Sequence, residues 1–258
     1  MKIDSSLEIY RPEFEGKTAI VTGGSSGIGR EICATLANLG ATVHFCGRNV
    51  DAGRETEKLC NEGRASPRAV FARVDVTNAK QLREWVASVP VVDFLVNNVA
   101  DDRRADFEKT TIEEFDAGIA VNLRPHFIAT QAALPAIRRG VGKSIVMVGT
   151  CNYMMPEKDC FLYNAGKAGI AGLMRSLARQ LGPEFIRVNT WTPGWIATEK
   201  QLKNNMTPEI QEHLKTWQSL PKVFKPADVM GPLLFLLSRA ASSVTGQNFL
   251  AEGGRVML

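Results

Sequence analysis

Seven apolar, β-branched runs recur along the chain with helical stretches between them, and that alternation limits the possible folds more than any other feature. The runs fall at 18–21, 41–45, 69–74, 94–96, 144–148, 188–192 and, more weakly, 248–250. They are apolar throughout rather than alternating, which is the pattern of strands buried on both faces. The segments between them carry apolar residues at helical spacing, as in Ile28, Ile32, Leu36 and Leu39 ahead of a terminating Gly40. Strands that alternate with helices predict an α/β fold with one doubly wound, parallel, seven-stranded sheet. At 258 residues, of which 45% are hydrophobic, the chain can bury a single large core. No repeat or low-complexity tract divides it. The expectation is one domain over 1–258, with a helical insertion at about 197–225 that covers a substrate site.

The glycine-rich turn after the first run says what such a sheet is for. Residues 18–21 lead into Thr22-Gly23-Gly24-Ser25-Ser26-Gly27-Ile28-Gly29 and then an amphipathic helix. Glycines let backbone approach a pyrophosphate, and the free N–H groups at a helix N-terminus attract its charge. Gly23, Ser25, Ser26, Gly27, Ile28 and Gly29 are therefore candidate contacts to a dinucleotide in a Rossmann-like site, although the spacing G-x-x-x-G-x-G also suits a plain tight turn. The same residues read as G-x-S-x-G, the nucleophile elbow of a serine hydrolase built on Ser25. That rival needs a downstream histidine, and of His44, His126 and His213 only His213 is suitably placed. At the end of the second run the chain reads Phe45-Cys46-Gly47-Arg48-Asn49, without the acid that commonly accepts both ribose hydroxyls of NAD. Arg48 offers a fork of donors suited to a 2′-phosphate, so NADP is expected, with NAD as the other dinucleotide. The plain alternative is an arginine on a solvated rim.

Tyr163 and Lys167 stand four apart at the start of a long helical stretch, which puts both on one face. A free phenol has a pKa near 10, and an adjacent ammonium lowers it toward a range where it can shuttle protons. Together with the other landmarks, this pair makes the chain resemble the short-chain dehydrogenase/reductase family over essentially its whole length. The resemblance is carried by Thr22 to Gly29, Asp75-Val76, Asn97-Asn98-Val99-Ala100, Asn122, Thr150, Tyr163, Lys167, Pro193-Gly194 and Thr198, in the family's order.

It implies that Tyr163 is the acid/base and that Lys167 binds the nicotinamide ribose. Asn122 would hold a water of the proton relay, and Thr150, where the family has Ser, would steady the substrate oxygen. It further implies that Asp75 and Val76 meet the adenine, that Ile196 and Thr198 hold the carboxamide and phosphate side, and that Arg48, Asn49, Asn98, Pro193 and Gly194 belong to the cofactor site. Val99-Ala100 departs from the family's Ala-Gly. Asn97 and Asn122 also admit a simpler role, satisfying backbone groups. A homotetramer assembled through the helices of Asn122 and Tyr163 is implied as well.

Substrate class is less legible. Locally the chain is similar to sugar 1-dehydrogenases at Asp101-Asp102-Arg103-Arg104, Val121-Asn122-Leu123-Arg124, Pro193-Gly194-Trp195 and Met206-Thr207-Pro208-Glu209. Against a sugar stand Met154, Met155, Trp195, Met206 and Trp217, which suit a pocket for a 3-oxoacyl or other apolar ketone. A non-catalytic dinucleotide sensor is the alternative of another class. The 31 Lys+Arg and 27 Asp+Glu leave +4 spread thinly, with no basic stripe for nucleic acid. No apolar run approaches the roughly 18 residues of a membrane span, and residues 1–17 lack a signal h-region, so a cytoplasmic protein is expected. Five cysteines without C-x-x-C spacing point to a reduced interior and no metal site. The expected activity is NADP(H)-dependent interconversion of a small-molecule secondary alcohol or sugar hemiacetal and its carbonyl.

Overall fold

The computed structural model describes residues 4–257. Its strands are β1 (Thr18–Thr22), β2 (Thr42–Gly47), β3 (Ala69–Arg73), β4 (Phe94–Asn97), β5 (Ser144–Val148), β6 (Arg187–Pro193) and β7 (Asn248–Ala251). They form one sheet in the order β3-β2-β1-β4-β5-β6-β7, with every neighbouring pair parallel. The helices are α1 (Arg11–Phe14), α2 (Gly27–Asn38), α3 (Val50–Asn61), α4 (Ala79–Ala87), α5 (Ile112–Asn122), α6 (Arg124–Arg139), α7 (Phe161–Leu181), α8 (Glu199–Asn204), α9 (Pro208–Trp217) and α10 (Met230–Leu237). All seven expected strands are present with shifted ends. Ala41 falls outside β2 because its amide closes the end of α2 on the Leu36 carbonyl at 3.0 Å.

Continuous apolar strands are possible here because both faces of the sheet are covered. Every position of β5 and β6 is buried. One face packs Phe45 and Val43 against Ile32 and Leu36 of α2, and Val146 and Trp191 join Leu233 and Leu236 of α10 in the same core. The other packs Ile20 and Leu95 against Leu82 of α4, Ile137 of α6 and Ile170 and Met174 of α7. Each such side chain, fully buried, stabilises the fold by about 1.5–3 kcal/mol relative to exposure.

Local chemistry sets the helix ends. Thr111 and Glu114 form a capping box at the start of α5, and Asn78 accepts from the Lys80 and Gln81 amides to start α4. Pro125 has no N–H to return to the Val121 carbonyl, so the helix breaks at Leu123 (φ −124°, ψ −53°) and α6 begins afresh. The insertion expected at 197–225 forms α8 and α9. Its far end is stitched to the turn after β7, with Ser219 N donating to Gly254 O at 3.2 Å and Leu220 N to Gly253 O at 2.9 Å. No helix among the described residues is long and apolar enough to cross a membrane.

Candidate active site

Strand order reverses direction between β1 and β4, and the loops at the carboxyl ends of the strands part there to leave a crevice. A cleft of about 560 Å³ opens at this point, running from the glycine turn past Tyr163 to Arg255. Gly23 holds φ +71°, open to glycine and strained for a side chain. A Cβ on Gly29 would lie 2.0 Å from the Gly23 carbonyl oxygen, so only glycine lets α2 start this close to the strand. The turn is braced from below, where Asn98 Nδ2 donates to Thr22 O at 3.1 Å and Gly23 O at 3.0 Å. Val99 and Ala100 line the cleft while the Val99 amide still donates to Thr22 Oγ1 at 3.3 Å, so the departure at these positions leaves the brace intact. Ser26 is the N-cap of α2 without a side-chain cap bond, and no acid stands in the first turn. The leading amides of α2 therefore face the cleft uncapped, which fits a diphosphate.

Beyond the turn, Gly47, Arg48, Asn49, Asp75, Val76 and Thr77 form the next stretch of wall. Gly47 is close-packed rather than roomy: a Cβ there would lie 2.5 Å from Ser25 Oγ. Arg48 is exposed and forms no salt bridge among the described residues, though its charge helps hold the Asp75 carboxyl below its ordinary range, behind the hydrogen bonds from Thr77. Those bonds, from Thr77 N at 2.9 Å and Thr77 Oγ1 at 2.7 Å, both reach Oδ1 of Asp75. Asn49 spends its Oδ1 on the Ala52 amide as N-cap of α3. With uncapped amides, Arg48 and the Asp75–Thr77 rim in one groove, the residues present fit a nicotinamide dinucleotide. Pro193, Gly194, Ile196 and Thr198, after β6, line the same groove.

Tyr163, Lys167 and Thr150 converge in the middle of the cleft. Burial pushes the Tyr163 hydroxyl above its ordinary pKa, and its hydrogen bond with Thr150 pulls the other way. The ammonium of Lys167 lies 5.7 Å from the Tyr163 ring centre, and in the protein alone burial, not this neighbour, sets the direction of the tyrosine's shift. Lys167 is itself buried, donates to Val148 O at 2.6 Å, and loses enough hydration that its pKa falls to about 7. An unfolded lysine stays near 10.4, so between the two values the unfolded chain holds the extra proton. The lysine thus makes stability rise with pH across that window and costs the fold most below it. Lys167→Met is expected to stabilise the apoprotein at pH 6 by on the order of a few kcal/mol more than at pH 10, read by thermal unfolding; an equal shift at both pH values would refute the assignment.

Asn122 is not brought to the cleft wall. Its Oδ1 accepts from Asp101 N at 2.9 Å and its Nδ2 donates to Asp101 O at 3.0 Å, so both ends of the amide brace the loop after β4. Satisfying backbone groups is therefore a role this side chain performs, with one oxygen lone pair and one N–H beyond these two bonds. Asn97 likewise donates to Thr130 Oγ1 at 3.1 Å, away from the cleft. His126 is fully buried in α6 and kept neutral by burial and by the Lys167 charge. His213 packs against Trp217 with ring centres 5.5 Å apart and planes tilted by 41°, and no histidine lines the cleft beside Ser25 among the described residues. The serine-hydrolase constellation does not assemble.

At the far end the wall is polar. Asp102, Arg104, Asn152, Glu157, Gln201 and Arg255 surround the approach to Tyr163. Of the side chains expected to form an apolar pocket, Trp195 alone is on this wall; Met206 is buried beneath α8 and α9, and Met154, Met155 and Trp217 do not reach the lining. Of the sugar-like runs, Asp102, Arg104, Val121, Pro193, Gly194 and Trp195 line the cleft, whereas Arg124 does not and donates to Thr77 O at 2.6 Å. Sequence reasoning missed Glu157 and Arg255. The signal for Arg255 was its place four residues past the last strand, at the carboxyl edge where ligands bind.

A protein-family model described as enoyl-(acyl carrier protein) reductase matches residues 23–255. The chain is 36% identical over 252 residues to the probable galactose dehydrogenase of Rhizobium meliloti, a match covering 94% of this chain and 96% of that one. It is 35% identical over 249 residues to D-xylose 1-dehydrogenase of Caulobacter vibrioides, covering 96% and 99%. A solved short-chain dehydrogenase/reductase from Brucella melitensis, described as a glucose/ribitol dehydrogenase, superposes with a TM-score of 0.87 at 27% identity, covering 95% and 99%.

Proposed function

The chain belongs to the short-chain dehydrogenase/reductase family and is an oxidoreductase of CH–OH groups that uses a nicotinamide dinucleotide, and from that premise we propose that it oxidises a sugar at its hemiacetal carbon, with NADP preferred. The observation that carries the sugar reading is the group of hydrogen-bonding side chains, Asp102, Arg104, Asn152, Glu157 and Gln201, that shares the cleft lining with Tyr163 and could hold several hydroxyls of a polyol. The named sugar dehydrogenases among the relatives support it.

When bound, the dinucleotide supplies the hydride acceptor. The chain's own residues do the rest. Tyr163 Oη exchanges the hydroxyl proton, as base in oxidation and as acid in reduction, and Thr150 steadies the same oxygen by hydrogen bonding. Lys167, with Val148 O as its partner, has donors left for a ribose hydroxyl; an acceptor there favours the charged ammonium and hence the phenolate. The amides of α2 and the Arg48 guanidinium bind phosphate, and Asp75 with Val76 takes the adenine. In the same reading the chain works as one domain over 1–258, with 197–225 covering the substrate through Lys200 and Gln201. It acts in the cytoplasm, consistent with five free, buried cysteines, and as a homotetramer through α5 and α7, whose surroundings expose Ile112 and Phe115.

Aldoses, apolar ketones and 3-oxoacyl thioesters assayed by nicotinamide absorbance with both dinucleotides test this. Aldoses with NADP are expected to be the best pair, and turnover confined to thioesters or apolar ketones would overturn the reading. Arg48→Ala should lower kcat/KM for NADP by about 10- to 100-fold and for NAD by no more than about threefold; equal losses would remove the argument for NADP.

A further inference from the structure

Three ion pairs contribute side chains to the polar end of the cleft, and they differ in how much hydrogen-bonding capacity they have spent. Asp102 meets Lys200 at 2.5 Å and also accepts from Gln201 Nε2 at 2.5 Å. Arg104 meets Asp159 at 2.6 Å. Glu157 and Arg255 stand at 3.5 Å, the outer edge of a hydrogen bond. A guanidinium has five donors and a carboxylate about four acceptor sites, so this third pair is largely unspent. Its cation is sheltered, the Arg255 side chain being 13% exposed, while the Glu157 side chain is 35% exposed and open to the cleft. Sheltered charge that lacks partners is costly, so its position needs support from the surrounding structure.

That support is specific. The Glu252 carboxylate accepts from the amides of Gly254 at 3.1 Å, Arg255 at 2.6 Å and Val256 at 3.1 Å, which fixes the turn after β7. The Arg255 guanidinium lies over the Trp217 ring at 5.4 Å, and the turn is tied to residues 219 and 220 at the end of the insertion. Three loops that are remote in sequence, after β5, α9 and β7, thus hold one cation and one anion side by side at the substrate end of the cleft.

We propose that Glu157 and Arg255 form a subsite that reads two adjacent hydroxyls of the substrate, the carboxylate accepting from one and the guanidinium donating to its neighbour. Taken together the pair is neutral, so it suits an uncharged polyhydroxy compound. A substrate carboxylate would meet Glu157 and a substrate amine would meet Arg255. This deepens the sugar reading and rests on it.

Wild type, Glu157→Gln and Arg255→Lys are compared on the preferred aldose, on its mono-deoxy analogues at each ring position and on the matching uronic acid. Sugar binding to the dinucleotide-loaded protein is followed by calorimetry. Each variant is expected to lose about 10- to 100-fold in kcat/KM on the aldose, mainly through KM, with a parallel loss of affinity. For the deoxy sugar that lacks the contacted hydroxyl, variant and wild type should agree within about twofold, because the interaction is then already missing. Wild type should also prefer the aldose to the uronic acid by at least about tenfold. Losses that are the same on every deoxy sugar, an unchanged KM in both variants, or a preference for the uronic acid would each overturn the subsite. Failure of wild type to turn over any aldose would instead overturn the sugar reading on which the subsite rests. Glu157→Gln keeps shape and size, so its result stands even if the arginine variant folds poorly.

Discussion

Tyr163→Phe is expected to lower kcat on the preferred substrate by about 10²- to 10⁴-fold, the range that general acid–base catalysis contributes. The change removes one oxygen. Tyr163 lies on the cleft wall with its hydroxyl bonded to Thr150, and burial raises its pKa, so at neutral pH the protein alone holds a protonated phenol ready to donate to a carbonyl oxygen. The phenylalanine ring would fill the same space without a proton to give or take, so the loss should appear in kcat with dinucleotide affinity changed no more than about threefold. Binding read by nucleotide fluorescence separates the two quantities. Retention of full turnover would remove Tyr163 from the chemistry, and a loss confined to dinucleotide affinity would make it a structural residue.

Gly29→Ala should act on the opposite quantity. Its Cβ would sit 2.0 Å from the Gly23 carbonyl oxygen and 2.6 Å from Asn98 Nδ2, which is backbone on one side and the brace of the turn on the other. Neither yields cheaply, because Gly23 is committed to φ +71° and Asn98 to two carbonyls. Overpacking of this kind costs about 1–3 kcal/mol, and the displaced turn would no longer aim the α2 amides at a diphosphate. A melting temperature lower by roughly 3–10 °C is expected together with at least about a tenfold weaker dinucleotide Kd. Gly172→Ala is the control. It lies in α7 with nothing within 4 Å of the added carbon, so it should be neutral or slightly stabilising. Equal behaviour of the two variants would show that the close approach at Gly29 is not what shapes the turn.

The seven strands were legible because burial on both faces leaves a continuous apolar run, and 144–148 is bounded in the structure as in the sequence. The dinucleotide turn and the Tyr163/Lys167 pair were legible for a related reason: each is local, a few residues whose relative placement one helix or one turn determines. Glu157 and Arg255 are 98 residues apart, and no local periodicity brings them together; only the parallel order of the strands sets their loops side by side. Asn122 was legible only in part. Its residue type announces a buried hydrogen-bonding amide, but the direction of that amide depends on the helix break at Leu123, and the loop after β4 takes both of its ends. Met206 and Trp217 show the same ambiguity for apolar side chains. Their size and apolarity say that they pack against something, and in the fold Met206 is buried in the insertion and Trp217 lies under the Arg255 guanidinium.

The stitching between residues 219 and 220 and the carbonyls of Gly253 and Gly254 makes two segments into one structural unit. Grafting only 197–225 from a relative would bring a cover without its fastening, and grafting only the turn after β7 would bring a fastening without its cover. Substrate range in this scaffold should therefore be transplantable as a pair of segments and resist transfer piece by piece.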